Sequence, residues 1–219
     1  MNGAHLINMR RISPKILVLL LIVGVATVAF WLIPSFVPSE ENEEYAVYSV
    51  LLKELFIKDN TKLLLIQNQT QFYEFPYNYE GITSDERIQH MRKNFPSVAE
   101  DTLVDFESKY LQPSEIRPNF NLPIKYVLID KLPTERVLID KAELEKGNSG
   151  TFTQKLFEKY PDARGVISLS KVGFNQGKTE AFVRVEFTHC GLCGRGDKVF
   201  LEKKSGVWTV KEIFNLWVS

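Results

Sequence analysis

The run from Ile16 to Ile33 is eighteen residues long without a charge, and Arg10, Arg11 and Lys15 precede it. At about 1.5 Å per residue, a helix of that length reaches about 27 Å, close to the roughly 30 Å hydrocarbon thickness of a bilayer. Leu17, Leu19, Leu20, Leu21, Ile22 and Val23 leave no polar stripe. The run therefore reads as a spanning helix, not as an amphipathic helix lying on a surface. Cytoplasmic flanks carry the Lys/Arg excess, and all three basic residues lie on the N-terminal side. The expected topology is a cytoplasmic tail over 1–15, a single-pass signal-anchor over 16–33, a spacer over 34–44 and an extracytoplasmic domain over 45–219. A cleaved signal peptide competes, with Thr27-Val28-Ala29 as the small-residue site. Cleavage there would leave Phe30-Trp31-Leu32-Ile33 as an exposed apolar end, so the uncleaved anchor is preferred. Both readings export the domain.

The exported part is long enough for one good core or two small ones. All 27 acidic residues but only 24 of the 27 basic ones lie beyond the anchor, a net charge of −3. That mild acidity gives no electrostatic footprint for nucleic acid. Cys190 and Cys193 are the two cysteines of the chain, which excludes a disulfide-dense scaffold. An oxidising compartment permits one bridge between them.

Helical spacing of Tyr48, Leu51, Leu52, Leu55 and Phe56 predicts an amphipathic helix between Glu44 and Asp59. The acidic stretch before it, Ser39 to Glu44, reads as part of the solvated spacer. Lys62 to Gln67 reads as a buried strand. The aromatic stretch Gln69 to Gly81 reads as a long loop, its rings anchoring it to the core rather than lining a groove. Thr83 with Glu86 and Ser97 with Glu100 have the spacing of capping boxes. In the second of these helices Ala99, Leu103, Phe106 and Tyr110 share a face. Pro113, Pro118 and Pro123 stop any helix across 111–123, which is a crossover or an internal boundary. Lys125 to Asp130 and Arg136 to Asp140 have strand character, Gly147 to Gly150 forms a turn, and a helix runs from Thr151 to Pro161.

Nine of the twelve glycines lie at or after position 147, which points to a hairpin-rich C-terminal part. Four strand signals follow: Gly165–Gly173, Thr179–Thr188, Lys198–Lys203 and Val207–Val218. In the second, Ala181, Val183, Val185 and Phe187 alternate with Glu180, Arg184 and Glu186, while Phe182 sits among the charges. In the last, Trp208, Val210, Phe214, Leu216 and Val218 are expected to face the core. Short connections at Phe174–Lys178 and Ser205-Gly206 suit antiparallel hairpins. The expected fold class is α+β, with the transmembrane helix followed by a domain whose C-terminal four-stranded antiparallel meander packs on helices.

Candidate chemistry is sparse. Cys190-Gly191-Leu192-Cys193 sits in a Gly-rich connection between strands, where a thiolate lacks the helix N-terminus that usually activates a redox pair. With His189 it supplies at most three of the four ligands of a closed zinc site. A local disulfide, or reduced thiols in a tight turn, ranks ahead of a redox pair helped by His189 and Arg195, and ahead of a metal site. Glu180, Arg184 and Glu186, with Glu202 and Lys211 on neighbouring strands, read as a wet charged face before they read as a catalytic carboxylate pair. Asn68-Gln69-Thr70 matches a glycosylation acceptor and carries little weight. No hydrolase, zincin or phosphate-loop motif occurs, and only His90 and His189 lie beyond the anchor. No catalytic, cofactor-binding or metal-ligating residue is assigned.

The stretch Gly165 to Ser219 contains "GVISLSKVGFNQGKTEAFVRVEF", "CGLCGRGDKVFLEKKSGVWTVKE" and the terminal "LWVS". It resembles the C-terminal region of a family of uncharacterised bacterial exported proteins, as, more loosely, does 46–130. The resemblance implies a bacterial source and a small α+β domain, and it supplies no reaction or ligand. Gly206-Val207-Trp208-Thr209-Val210 is similar to a pattern in the last strands of cystatin-like and nuclear-transport-factor-2-like folds. The resulting expectation is a membrane-anchored binding or assembly module at the cell envelope, partnered by an unidentified envelope protein. Its rivals are a small-ligand or simple acid/base pocket and a thiol-disulfide protein using Cys190 and Cys193.

Overall fold

Four helices and seven strands make up the described residues 39–70, 82–110, 112–130, 152–189 and 193–219 of this computed structural model. In chain order they are α1 (Glu40–Phe56), β1 (Leu63–Gln67), α2 (Ser84–Asn94), α3 (Glu100–Tyr110), β2 (Lys125–Ile129), α4 (Phe152–Lys159), β3 (Ala163–Leu169), β4 (Gly173–Phe174), β5 (Glu180–Thr188), β6 (Gly194–Lys204) and β7 (Val207–Val218). The run 16–33, the aromatic stretch 72–79, the expected strand 136–140 and the turn 147–150 lie outside the described residues. Among the described residues no helix is long and apolar enough to cross a membrane.

All seven strands join one sheet in the order β2-β1-β3-β5-β6-β7, with β4 alongside β5. From β3 onward the pairing is antiparallel, the expected meander. Ser205 and Gly206 both take positive φ, 52° and 81°, as the tight β6–β7 turn requires. The other end of the sheet departs from the expectation. β1 lies parallel to both β2 and β3, and each parallel step is made by a helical crossover. A short apolar run signals a strand but carries no record of its neighbours, so the sequence pointed to β1 and β2 without their pairing.

The sheet has a helix layer on each face. On one face α1 buries Val47, Tyr48, Leu51 and Leu52 against Ile66, Ile167, Leu169, Val183, Val199 and Leu201. On the other, α2 and α3 bury Met91, Phe95, Leu103 and Phe106 against Phe182 and Phe200, and Leu156 of α4 packs with Leu65 and Val166. Gly173 lets α3 lie directly on β4, since a Cβ there would overlap the backbone of Phe106.

Several local expectations can be checked against the structure, each with a physical reason for its outcome. α1 starts at Glu40, inside the expected spacer, because the Ser39 hydroxyl accepts the Asn42 N–H (3.2 Å) and Glu40, Glu41 and Glu43 favour the helix N-terminus. Glu43 is buried rather than solvated, accepting the Trp208 indole N–H at 2.8 Å and pairing with Lys203. The segment 112–124 runs as a strap between α3 and β2. Ile116 and Phe120 enter the α1 core, and Tyr45 Oη accepts the Arg117 N–H at 2.6 Å. The Thr83–Glu86 capping box forms, but the Ser97–Glu100 one does not. Ser97 instead donates to Glu212 (2.6 Å), Glu100 pairs with Arg92, and a carboxylate from the sheet, Glu180, accepts the Ala99 N–H at 3.1 Å.

Strand β7 departs from the expectation as well. Two bulges, at Lys211 and Leu216, break its register with β6. Each extra residue reverses the alternation, so Trp208 and Val210 join the α1 core whereas Phe214 packs on the α2–α3 side. Leu216 and Val218, expected in the core, are 38% and 72% exposed.

Candidate functional site

The same alternation that sends Val183 and Val185 toward α1 sends Phe182, Arg184 and Glu186 toward α2 and α3. β6 pairs Phe200 with Phe182, Lys198 with Arg184 and Gly196 with Glu186. A solvated charged face was expected here. Helices α2 and α3 cover it instead, leaving Arg184 and Glu186 only 8% and 5% exposed. Phe182, the odd residue among the charges, is fully buried and is the centre of this second core.

Arg184 is held on several sides. Its Nη1 donates to Tyr110 Oη at 2.8 Å and its Nη2 donates to Glu186. Its backbone N–H donates to Ser170 Oγ at 2.9 Å. The Trp217 indole lies beside Glu186 and favours its charged form, and the ring lies so close over Gly196 that any side chain there would displace it. Farther along α3, Glu107 accepts from Arg87 of α2, whose Nη1 also reaches the Ile82 carbonyl at 2.8 Å.

Lys198 differs from these paired groups. Its Nζ stands 4.8, 5.6 and 5.8 Å from the ring centroids of Phe95, Phe106 and Phe182, and it makes no ion pair among the described residues. The rings attract the ammonium through their quadrupoles.

The electrostatics follow from burial. Burial pushes the Glu186 carboxyl above its usual range, even against the Arg184 guanidinium beside it. Burial also opposes the Arg184 cation, but Tyr110 and Glu186 hold it above its ordinary value. The Lys198 amine is lowered to about 8, by burial first and then by Arg184 opposite, with Glu107 opposing the shift.

The other sequence candidates are dispersed. Glu180 caps α3, receiving the Thr102 hydroxyl (3.3 Å) as well as the Ala99 N–H. Glu202 and Lys211 do form a wet pair, 3.6 Å apart, shared with Lys204 at 2.9 Å. Cys193 is disulfide-bonded, and Cys190 lies outside the described residues. The His189 ring stacks on Phe187, and the His189 backbone N–H donates to the Cys193 carbonyl (3.0 Å). Arg195 pairs with Asp197 at 3.2 Å and covers Phe56. His90 contacts Asn94 on the exposed side of α2. Among the described residues no group of three or more His, Cys, Asp or Glu side chains is placed to hold a metal.

An open groove of about 850 Å³ lies elsewhere, lined by residues that include Asp101, Asp105, Lys109 and Phe174. Its acids are already engaged: Asp105 accepts the Phe174 N–H (2.7 Å) and Asp101 the Gln176 N–H (3.1 Å), which pins the β4 turn to α3.

Lys198 escaped the sequence reading because it stood at the expected start of its strand. β6 begins four residues earlier, at Gly194, which makes Lys198 a mid-strand residue facing Arg184. The glycines at 194 and 196, read as loop signals, hid the continuation. Compared with protein-family models, curated proteins and solved structures, the chain matches none.

Proposed function

We propose that the chain is a single-pass membrane-anchored protein whose folded part lies outside the cytoplasm and binds an envelope partner. The anchor rests on the charge-free run 16–33 and its basic N-terminal flank. The observation that carries the binding reading is β7. Among the described residues this twelve-residue strand pairs with β6 alone, and Ile213, Leu216 and Val218 on it are exposed. An edge strand offers unpaired backbone groups, and its exposed apolar side chains suit an extended segment with apolar residues at alternate positions. The acidic side chains support the same reading, since the buried Glu43 and Glu186 and the partly exposed Asp105 and Glu180 are spent on holding elements together.

A photo-crosslinker placed in turn at Ile213, Val218 and Lys62 of the anchored protein in intact cells tests the proposal. One discrete adduct from the two β7 positions, absent from Lys62 and lost when the neighbouring Leu216 is changed to Asp, is the expected result. Equal patterns from all three positions overturn it. A reporter fused after Ser219 that works only in the cytosol overturns the topology.

A further inference from the structure

Arg184 and Lys198 stand directly opposite one another on a covered sheet face. Like charges in facing positions destabilise an antiparallel pair, and an apolar residue at 198 would complete the ring cluster without that cost. Departures of this kind from the local rules concentrate where a residue is needed for chemistry. Every charged group facing Lys198 is otherwise engaged. On β5, Arg184 is held by Glu186; on α3, Tyr110 binds Arg184 and Glu107 binds Arg87 of α2; the residue opposite on β7 is the uncharged Phe214. Lys198 is half-buried, so solvent still reaches part of it.

We propose that Lys198 is a nucleophilic amine that forms a reversible imine with a small apolar aldehyde or ketone reaching it from solvent. A lysine set in apolar surroundings beside a second cation is the arrangement that favours such a nucleophile. The neutral amine's lone pair attacks the carbonyl carbon and forms the C–N bond while the C=O π pair moves to oxygen. Proton transfer from nitrogen to oxygen gives the carbinolamine. Loss of its hydroxyl as water leaves the imine, and hydrolysis reverses every step without an oxidant or reductant. Phe95, Phe106 and Phe182, which now face the ammonium, would face the protonated imine in the same way. The inference is independent of what β7 binds.

Reductive labelling of the purified full-length chain with propanal and cyanoborohydride, mapped lysine by lysine, is the test. At pH 7 the Lys198 amine is neutral far more often than an exposed lysine's, so Lys198 is expected to label at least about tenfold faster than Lys62 and Lys211. Its rate should level off above about pH 8. Labelling of Lys198 no faster than Lys62, or a Lys198 rate still climbing in parallel with Lys62 at pH 10, overturns the proposal. The comparison is internal to the wild-type chain, so no variant has to fold.

Discussion

The two faces of the sheet solve the same burial problem by opposite means. Under α1 the interior is mostly aliphatic and aromatic, with the Glu43–Lys203 pair near its edge, and other polar groups of the helix tie down the chain around it. Tyr48 Oη donates to the Ser170 carbonyl (2.8 Å), and Ser49 Oγ accepts the Asn121 N–H (2.9 Å). Under α2 and α3 three phenylalanines surround an ammonium, and two Arg–Glu pairs sit beside them. An apolar contact is non-directional and tolerates small shifts, whereas a buried ion pair is satisfied in one geometry. The α1 face therefore tolerates small shifts in packing that the α2–α3 face does not. The α2–α3 face carries the Arg–Glu pairs, and among the described residues Lys198 on it makes no ion pair.

Breaking one partner on the charged face should cost most. Arg184→Ala leaves Glu186 buried and unpaired, with an expected loss of about 3–5 kcal/mol in chemical denaturation. Replacing both residues at once, Arg184→Met with Glu186→Leu, should recover most of it, because no charge is left stranded. If the double variant is as unstable as the single one, the pair is not the cause. On the α1 face Leu51→Ala opens a cavity at a fully buried position and should cost about 3 kcal/mol, with no change in pH dependence.

Lys198→Met tests the unpaired cation, and its sign is fixed by linkage. The folded amine titrates near 8 and the unfolded one near 10.4, so between these values the unfolded chain binds more protons. Wild-type stability should therefore rise as pH goes from about 8 to 10.5, with the full penalty present below 8. The variant should lack this rise and be the more stable form at pH 7, by an amount on the order of 2 kcal/mol. A wild-type slope equal to that of Lys198→Met would remove the electrostatic distinction between the faces. The smallest effects concern the caps. Ser39→Ala removes the α1 cap and should cost about 1 kcal/mol. Ser97→Ala should change stability by less than about 0.5 kcal/mol, since Ser97 caps nothing and its hydrogen bond is exposed. Equal losses from the two would mean that Ser97 has a structural role beyond that bond.

Much of the scaffold was legible in the residues. The periodicity of Tyr48, Leu51 and Leu52 placed α1, the Thr83–Glu86 pair placed the start of α2, and Ser205-Gly206 placed the last hairpin. The candidate site was not legible in the same way. Arg184 and Glu186 were visible as charges alternating with valines, a pattern shared by a wet face and a covered one. The deciding fact is the crossover between β1 and β2, which carries α2 and α3 over that face. Glu180 was visible too, but its role as a cap for α3 depends on a residue 81 positions away in the chain.

Taken alone, the sequence determined the charge-free N-terminal run, the positions of the helices, most of the strands and the order of the meander. Those properties depend on spacings of two to four residues, where backbone geometry alone brings side chains to one face. Tertiary structure decided the parallel pairing of β1, the two bulges that divide β7 between opposite cores, and the placing of Lys198 against Arg184 inside a ring of phenylalanines. Each of these is a contact between residues distant along the chain, and local propensity carries no information about which distant partner will be met.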